Sequence, residues 1–66
     1  MNVVEITTDQ LEEYMTQTHI AIEKNNPKHI VKKTQFGLFT VHKDGLVSEL
    51  KAEKYASSRW IVKETI

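Results

Sequence analysis

Apolar and polar positions in this chain follow a helical period before Pro27 and an alternating period after it. Leu11 begins the helical stretch. At 100° per residue, the side chains within about 80° of Leu11 are Tyr14, Met15, Thr18, Ala21 and Ile22. A stripe of this width is typical of a helix with one buried face. The pattern therefore predicts one amphipathic helix in the N-terminal third of the chain.

The start of this helix carries the expected capping residues. Thr7 is suited to the N-cap position, and Gln10 stands three residues later to complete a capping box. Ile6 and Leu11 occupy the two positions of a hydrophobic staple. We expect the helix to run from residue 8 to residue 24 and to end at the Asn25-Asn26-Pro27 segment.

The dipeptide Asp44-Gly45 lies between two apolar runs and predicts a β-hairpin with a type I′ turn. Closing the hairpin there pairs Val41 with Ser48 and Phe39 with Leu50. One face of the hairpin then carries Phe39, Val41, Leu46 and Leu50, and the other carries Leu38, Thr40, His42, Val47, Glu49 and Lys51. The first face is apolar, so we expect it to cover the core.

A second hairpin is expected at Gln35-Phe36-Gly37, with Gly37 in the left-handed conformation. This loop pairs Thr34 with Leu38 and Val31 with Val41. The segment 59–63 reads as a final strand, with its Trp and Val side chains on one face. Residues 52–58 read as a helical turn or loop, and the apolar run 3–6 reads as an edge strand or a lead-in to the helix.

Together these elements predict a single small α+β domain over residues 1–66. Its N-terminal helix would pack on a three- to four-stranded antiparallel sheet built on the Asp44-Gly45 hairpin. The expected core residues are Leu11, Tyr14, Met15, Ile22, Val31, Phe39, Val41, Leu50, Trp60 and Val62. A domain of this size buries only about 60% of its unfolded surface, so dimerisation is one expected source of further stability.

The composition argues against catalysis and against bound cofactors or metals. The chain has no cysteine, and His19, His29 and His42 lack the spacing of a zinc site. Its serines have no nucleophile-elbow context. The N-terminus lacks the basic and apolar regions of a signal peptide, and no apolar run is long enough to span a bilayer. We therefore expect a cytoplasmic, non-enzymatic protein with no cofactor, no metal, no small-molecule substrate and no membrane partner.

The zero net charge hides a strong asymmetry along the chain. Residues 1–24 carry five acidic side chains against Lys24 alone, whereas residues 25–66 carry eight basic and four acidic side chains. Such asymmetry is found both in solvated helix and sheet faces and in partner-binding surfaces. One alternative function is therefore nucleic-acid binding through the basic first hairpin, by Lys28, Lys32, Lys33, His42 and Lys43.

The preferred hypothesis is a protein-binding module: a regulator, inhibitor or adaptor that occupies a surface of a larger protein, or that self-associates as a homodimer. Phages and mobile elements often encode small chains of this kind, which is an analogy only. The candidate surface is the outer face of the predicted helix. There Ile20 lies about 180° from Leu11, and its polar neighbours on the helical wheel include Asp9, Glu13 and Thr16.

Overall fold

An antiparallel sheet with one short helix on one face makes up the fold. The computed structural model describes residues 3–65, and this part of the chain contains six strands, one α-helix and one 3-10 helix. In chain order the elements are β1 (Val3–Thr7), α1 (Thr8–Tyr14), β2 (His19–Glu23), β3 (Asn26–Thr34), β4 (Gly37–Val41), β5 (Val47–Glu49), the 3-10 helix (Ala52–Tyr55) and β6 (Arg59–Glu64). The predicted α+β class and antiparallel sheet are confirmed. Of the predicted domain 1–66, residues 1, 2 and 66 lie outside the described residues.

The helix begins where the sequence predicts and ends ten residues early. Thr7 is the N-cap, with an extended backbone at φ −88°, and its N–H donates to Gln10 Oε1 at 3.0 Å. The helix stops at Tyr14, and residues 19–23 form a strand. The prediction of a helix to residue 24 is wrong because Thr16, Thr18, Ile20 and Ile22 are β-branched. A strand there can pair on both sides.

The sheet is wider than the predicted three to four strands. Within residues 3–65 its strand order is β1-β6-β2-β3-β4-β5, and every neighbouring pair is antiparallel. The C-terminal strand β6 inserts between β1 and β2, pairing Ile6 with Trp60 on one side and Ala21 with Val62 on the other. The helix connects β1 to β2 across the inserted strand. Local patterns carry no information on such a distant pairing.

The hairpin at Asp44-Gly45 exists, but its register differs by one residue from the prediction. Val41 pairs with Val47 rather than with Ser48, and His42 N–H donates to the Leu46 carbonyl at 2.8 Å. Among the described residues only glycines have positive φ, and Gly45 is at +87°. Asp44 is therefore not in the type I′ conformation. Instead its side chain accepts a hydrogen bond from the Leu46 N–H. This hydrogen bond favours a loop longer than the two residues of a type I′ turn.

The first hairpin is shifted in the same way. Thr34 pairs with Gly37 rather than with Leu38, and Val31 pairs with Thr40 rather than with Val41. The positive φ predicted for Gly37 is confirmed, at +115°. A shift of one residue moves a whole strand's side chains to the other face. As a result, Phe39 and Val41 lie on the face opposite to Val31.

The core lies between the sheet and α1. Its buried apolar members are Ile6, Leu11, Met15, Ala21, Val31, Leu50, Trp60 and Val62, with Thr8 as a buried polar neighbour. Six of the ten predicted core residues are among them. The prediction was wrong for Tyr14, which is exposed at the helix end, and for Ile22, Phe39 and Val41. Those three side chains are half-buried on the other side of the sheet.

The surface predicted around Ile20 is not formed. Ile20 lies on β2, facing away from Ala21 and therefore away from the helix. Asp9 and Glu13 are exposed on α1, which covers the opposite side of the sheet. Thr16 lies in the connection between α1 and β2, where its side chain bonds to Thr18 and His19. The helical-wheel argument fails because the chain is extended at residue 20.

Candidate interaction surface

The face of the sheet opposite α1 carries a continuous apolar surface. We call it the open face, and it consists of Ile20, Ile22, Ile30, Phe39, Val41, Val47 and Ile61. Cross-strand pairing aligns five of them in one row over β6, β2, β3, β4 and β5, namely Ile61, Ile22, Ile30, Val41 and Val47. At about 4.8 Å between strands, this row is about 19 Å long.

Each central strand places apolar side chains on both faces of the sheet. In β2 the run Ile20-Ala21-Ile22 puts Ala21 in the core and both isoleucines on the open face. In β6 the run Trp60-Ile61-Val62 likewise directs only Ile61 to the open face. Strands with uninterrupted apolar runs are typical of sheets that are covered on both sides. Among the described elements, only the core face is covered.

Charged side chains border this apolar row at both ends of the strands. A second row, parallel to the first, reads Val3, Lys63, Ile20, Lys32, Phe39 and Glu49 from β1 to β5. On the other side of the apolar row lie Thr7 and Arg59. An apolar centre with a charged border is the layout of a protein interface.

Glu5 lies at the β1 end of the apolar row, and two cationic side chains balance its negative charge. Its carboxylate accepts from Arg59 Nε at 2.6 Å and lies 3.3 Å from Lys24 Nζ. The Arg59 hydrogen bond, followed by that of Lys24, holds the pKa of Glu5 below its ordinary value of 4.5. The carboxylate is therefore charged at neutral pH, and this corner of the surface carries a compact ion-pair cluster.

A polar network on the core face gives the other concentration of chemically active groups. His29 Nδ1 lies 2.9 Å from Glu23 Oε1, and His29 Nε2 lies 3.0 Å from Thr40 Oγ1. The second Glu23 oxygen accepts from Ser58 Oγ at 2.9 Å. A hydroxyl, an imidazole and a carboxylate in series also occur in nucleophilic catalysis. The sequence offered no sign of this group, because its members are dispersed.

The packing around His29 favours a structural role for this network. The imidazole side chain is only 9% exposed, and its ring centre lies 5.0 Å from that of Tyr55 and 5.1 Å from that of Trp60. Both ring nitrogens are engaged by neighbouring side chains. The network joins β2, β3, β4 and the segment leading to β6, so it crosslinks the sheet beneath the aromatic residues.

The residues predicted to bind nucleic acid form two groups: Lys32 and Lys33 line a groove at the tip of the β3–β4 hairpin, and Lys28, His42 and Lys43 line a second pocket. Lys32 lies on the open face, whereas Lys33 is on the core side, where its Nζ donates to the Glu12 carbonyl at 2.7 Å and lies 3.5 Å from the Glu12 carboxylate. His42 is bonded to Ser48 at 2.7 Å, and Lys43 lies in the β4–β5 loop. Lys28 is at the other end of β3 from Lys32. The five side chains therefore do not form one patch.

In residues 3–65, no group of three or more His, Asp or Glu side chains is arranged to hold a metal ion. The same residues include no helix with the length and hydropathy needed to cross a membrane. No protein-family model matches the chain, and neither a characterised protein nor a solved structure shows significant similarity to it.

Proposed function

We propose that this protein is a non-enzymatic protein-binding module and that its binding surface is the open face. The observation that carries the proposal is the row of five aliphatic side chains that crosses five of the six described strands. An apolar surface of this extent, bordered by charges, marks an interaction site in a soluble domain. A partner that covers the row would remove it from water, and the charged border would set the orientation.

The shape of the surface favours a protein over a small molecule. The open face is a broad sheet surface rather than an enclosed cavity, and small-molecule sites are concave and bury most of the ligand. A sheet face offers its apolar side chains as a flat array that another sheet or an amphipathic helix can cover. The proposed role is therefore to engage another protein surface rather than to transform a substrate.

The test compares three baits in a capture experiment from the native host lysate, read by mass spectrometry with and without nuclease. The baits are the wild-type chain, Ile22→Glu in the centre of the row, and Lys54→Glu as a matched control. Lys54 is exposed on the 3-10 helix, away from the open face. We expect the wild type and Lys54→Glu to capture the same protein with and without nuclease, or to capture tagged copies of the chain itself. Ile22→Glu should not capture that protein or the tagged copies.

Equal capture by all three baits would contradict the proposal. Because a buried charge can disturb a sheet, Val47→Glu serves as a second variant. Val47 is 57% exposed on the edge strand β5, so its replacement leaves the core untouched. Circular dichroism and a cooperative melt establish that each variant is folded before its capture is compared.

Nucleic-acid binding is kept as the second candidate on one observation. Lys32, Lys33, Phe36 and Phe39 line an open groove of about 560 Å³ at the tip of the β3–β4 hairpin, and Phe36 is 79% exposed. Lysines beside an exposed aromatic ring can hold a single strand by charge and stacking. Single-stranded and duplex oligonucleotides should then bind with an affinity that falls steeply with salt, and Phe36→Ala should weaken the single-strand complex. No binding at low salt would exclude this candidate.

A further inference from the structure

The open face has a pattern of apolar and charged side chains that suits a second copy of this chain. We propose that two copies pack sheet against sheet through their open faces, about a two-fold axis parallel to the strands and located between β2 and β3. This inference rests on the proposed function, since it names the partner of the same surface.

Four of the five residues in the apolar row are self-complementary about this axis, and the fifth, Val47, lies over Glu5 of the second copy. The rotation exchanges β2 with β3 and β6 with β4, so Ile22 lies over Ile30 of the second copy and Ile61 lies over its Val41. Each contact occurs twice, as an isologous interface requires. The four central strands of both sheets therefore meet only through aliphatic side chains in this row, which is how packed sheets form a shared core about 10 Å thick.

One pair of charges in the neighbouring row is complementary about the same axis, whereas Lys32 lies over Ile20 of the second copy. Lys63 lies over Phe39 of the second copy, one strand away from its Glu49. The lysine stem can cover the aromatic ring while its ammonium group reaches the carboxylate. Within residues 3–65, Glu49 and Lys63 enter no ion pair with each other or with another described side chain. Both are thus available to a second copy.

The size of the molecule also suits this partner. The protein measures 28 × 28 × 21 Å, so the rectangle that encloses one face is on the order of 800 Å², comparable with the area each partner contributes to a standard stable interface when the whole face is covered. A domain of 66 residues has a small core, and association through a second apolar face is a usual way to supplement it.

Sedimentation of the purified 66-residue chain over a range of concentrations tests the proposal by charge reversal. We expect the wild type to sediment as a dimer, and Lys63→Glu and Glu49→Lys each to raise the dissociation constant at least tenfold. The double variant carrying both reversals should restore much of the affinity, because it rebuilds the pair with its signs exchanged. Lys54→Glu and Glu53→Lys, both exposed on the 3-10 helix, are the matched controls and should leave the dimer unchanged.

Two results would overturn the proposal: a wild type that stays monomeric at all accessible concentrations, and a dimer that the controls weaken as much as Lys63→Glu and Glu49→Lys do. Single reversals that weaken the dimer without rescue in the double variant would overturn the strand-parallel axis. The outcome is separable from that of the proposed function. The wild type could sediment as a monomer and still capture another protein that Ile22→Glu does not capture. That result would exclude self-association and would support the open face as a surface that binds a different protein.

Discussion

Trp60 is the residue around which the interior is arranged. It is fully buried, its ring contacts those of His29 and Tyr55, and its indole N–H donates to Thr8 Oγ1 at 2.7 Å. The Thr8 hydroxyl in turn donates to the Tyr55 carbonyl. One small side chain at the start of α1 therefore satisfies the buried indole N–H and gives the Tyr55 carbonyl a second donor beside the Ser58 N–H. Every buried side-chain polar atom in the described part of the chain has a partner.

Replacing Thr8 with valine tests this arrangement. Thr8→Val keeps the side-chain shape but leaves the buried indole N–H without its acceptor, whereas the Tyr55 carbonyl keeps the bond from the Ser58 N–H at 2.9 Å. The orphaned N–H costs about 1–3 kcal/mol, and each kcal/mol lowers the melting temperature of a domain this small by about 4–8 °C. Thermal melts should show the loss for Thr8→Val and little change for Thr8→Ser. Equal losses in the two variants would assign the effect to methyl packing instead.

Gly45 is the other residue whose identity is dictated by its backbone. Its φ of +87° is one that other residues rarely adopt, and a Cβ placed there would meet no atom within 4 Å. The cost of substitution is therefore conformational rather than steric. We expect Gly45→Val to lower the free energy of unfolding by about 1–3 kcal/mol in a denaturant titration. Gly45→Asn should cost less, since asparagine tolerates this region. No difference between the two would argue against the positive φ.

At the scale of elements, the molecule depends on pairing between its two ends. β1 and β6 are joined by five aligned residue pairs and, at their margin, by the ion pair of Glu5 with Arg59 and Lys24. The helix is too short to be stable on its own, since isolated helices under about 12 residues are marginal. Its stability comes from Leu11 and Met15, which are buried against the sheet.

The Glu5 ion pair gives this part of the sheet a defined pH dependence. Because the folded pKa of Glu5 is lowered, its contribution to stability is fully present above the ordinary value of 4.5 and is lost as the pH falls through the lower folded value. Denaturant titrations should find Glu5→Gln less stable than wild type at neutral pH. The difference should disappear well below pH 4.5, and a gap that persisted in acid would rule out the ion pair as its cause.

At the scale of the whole molecule, the sheet is covered on one face and apolar on both. In a monomer of this shape the aliphatic row is in contact with water, which is unfavourable in free energy. Association through that row would remove this unfavourable contact. The dimer proposed above therefore links stability to concentration, because only the folded chain can present a complete row.

The melting temperature of the wild type should accordingly rise with protein concentration, as mass action requires when folding and association are coupled. The same series for Ile22→Glu should be flat, since a charge in the centre of the row prevents association. Scanning calorimetry at several concentrations separates the two cases. A wild-type melting temperature that is independent of concentration would speak against the dimer.

Features that depend on neighbours in the chain were predictable from the sequence. The helix start at Thr7 and Gln10, the left-handed glycines 37 and 45, and the strand containing Trp60 all follow from local sterics and hydrogen bonding. For the candidate site, the sequence singled out Ile20 but placed it on a helix. The sequence pattern assigned Ile22, Phe39 and Val41 to the core, because an apolar residue does not by itself indicate which face of a sheet it lies on.

Only the tertiary structure decided which strands meet and in what register. The segment 19–23 suits either a helix or a strand, and its pairing with both β6 and β3 selects the strand. The registers of both hairpins moved by one residue from the local expectation, so Leu38 and Thr40, rather than Phe39 and Val41, share the face of Val31. Burial is shared by residues distant in sequence, so the face left apolar and uncovered emerges only when the whole sheet is assembled.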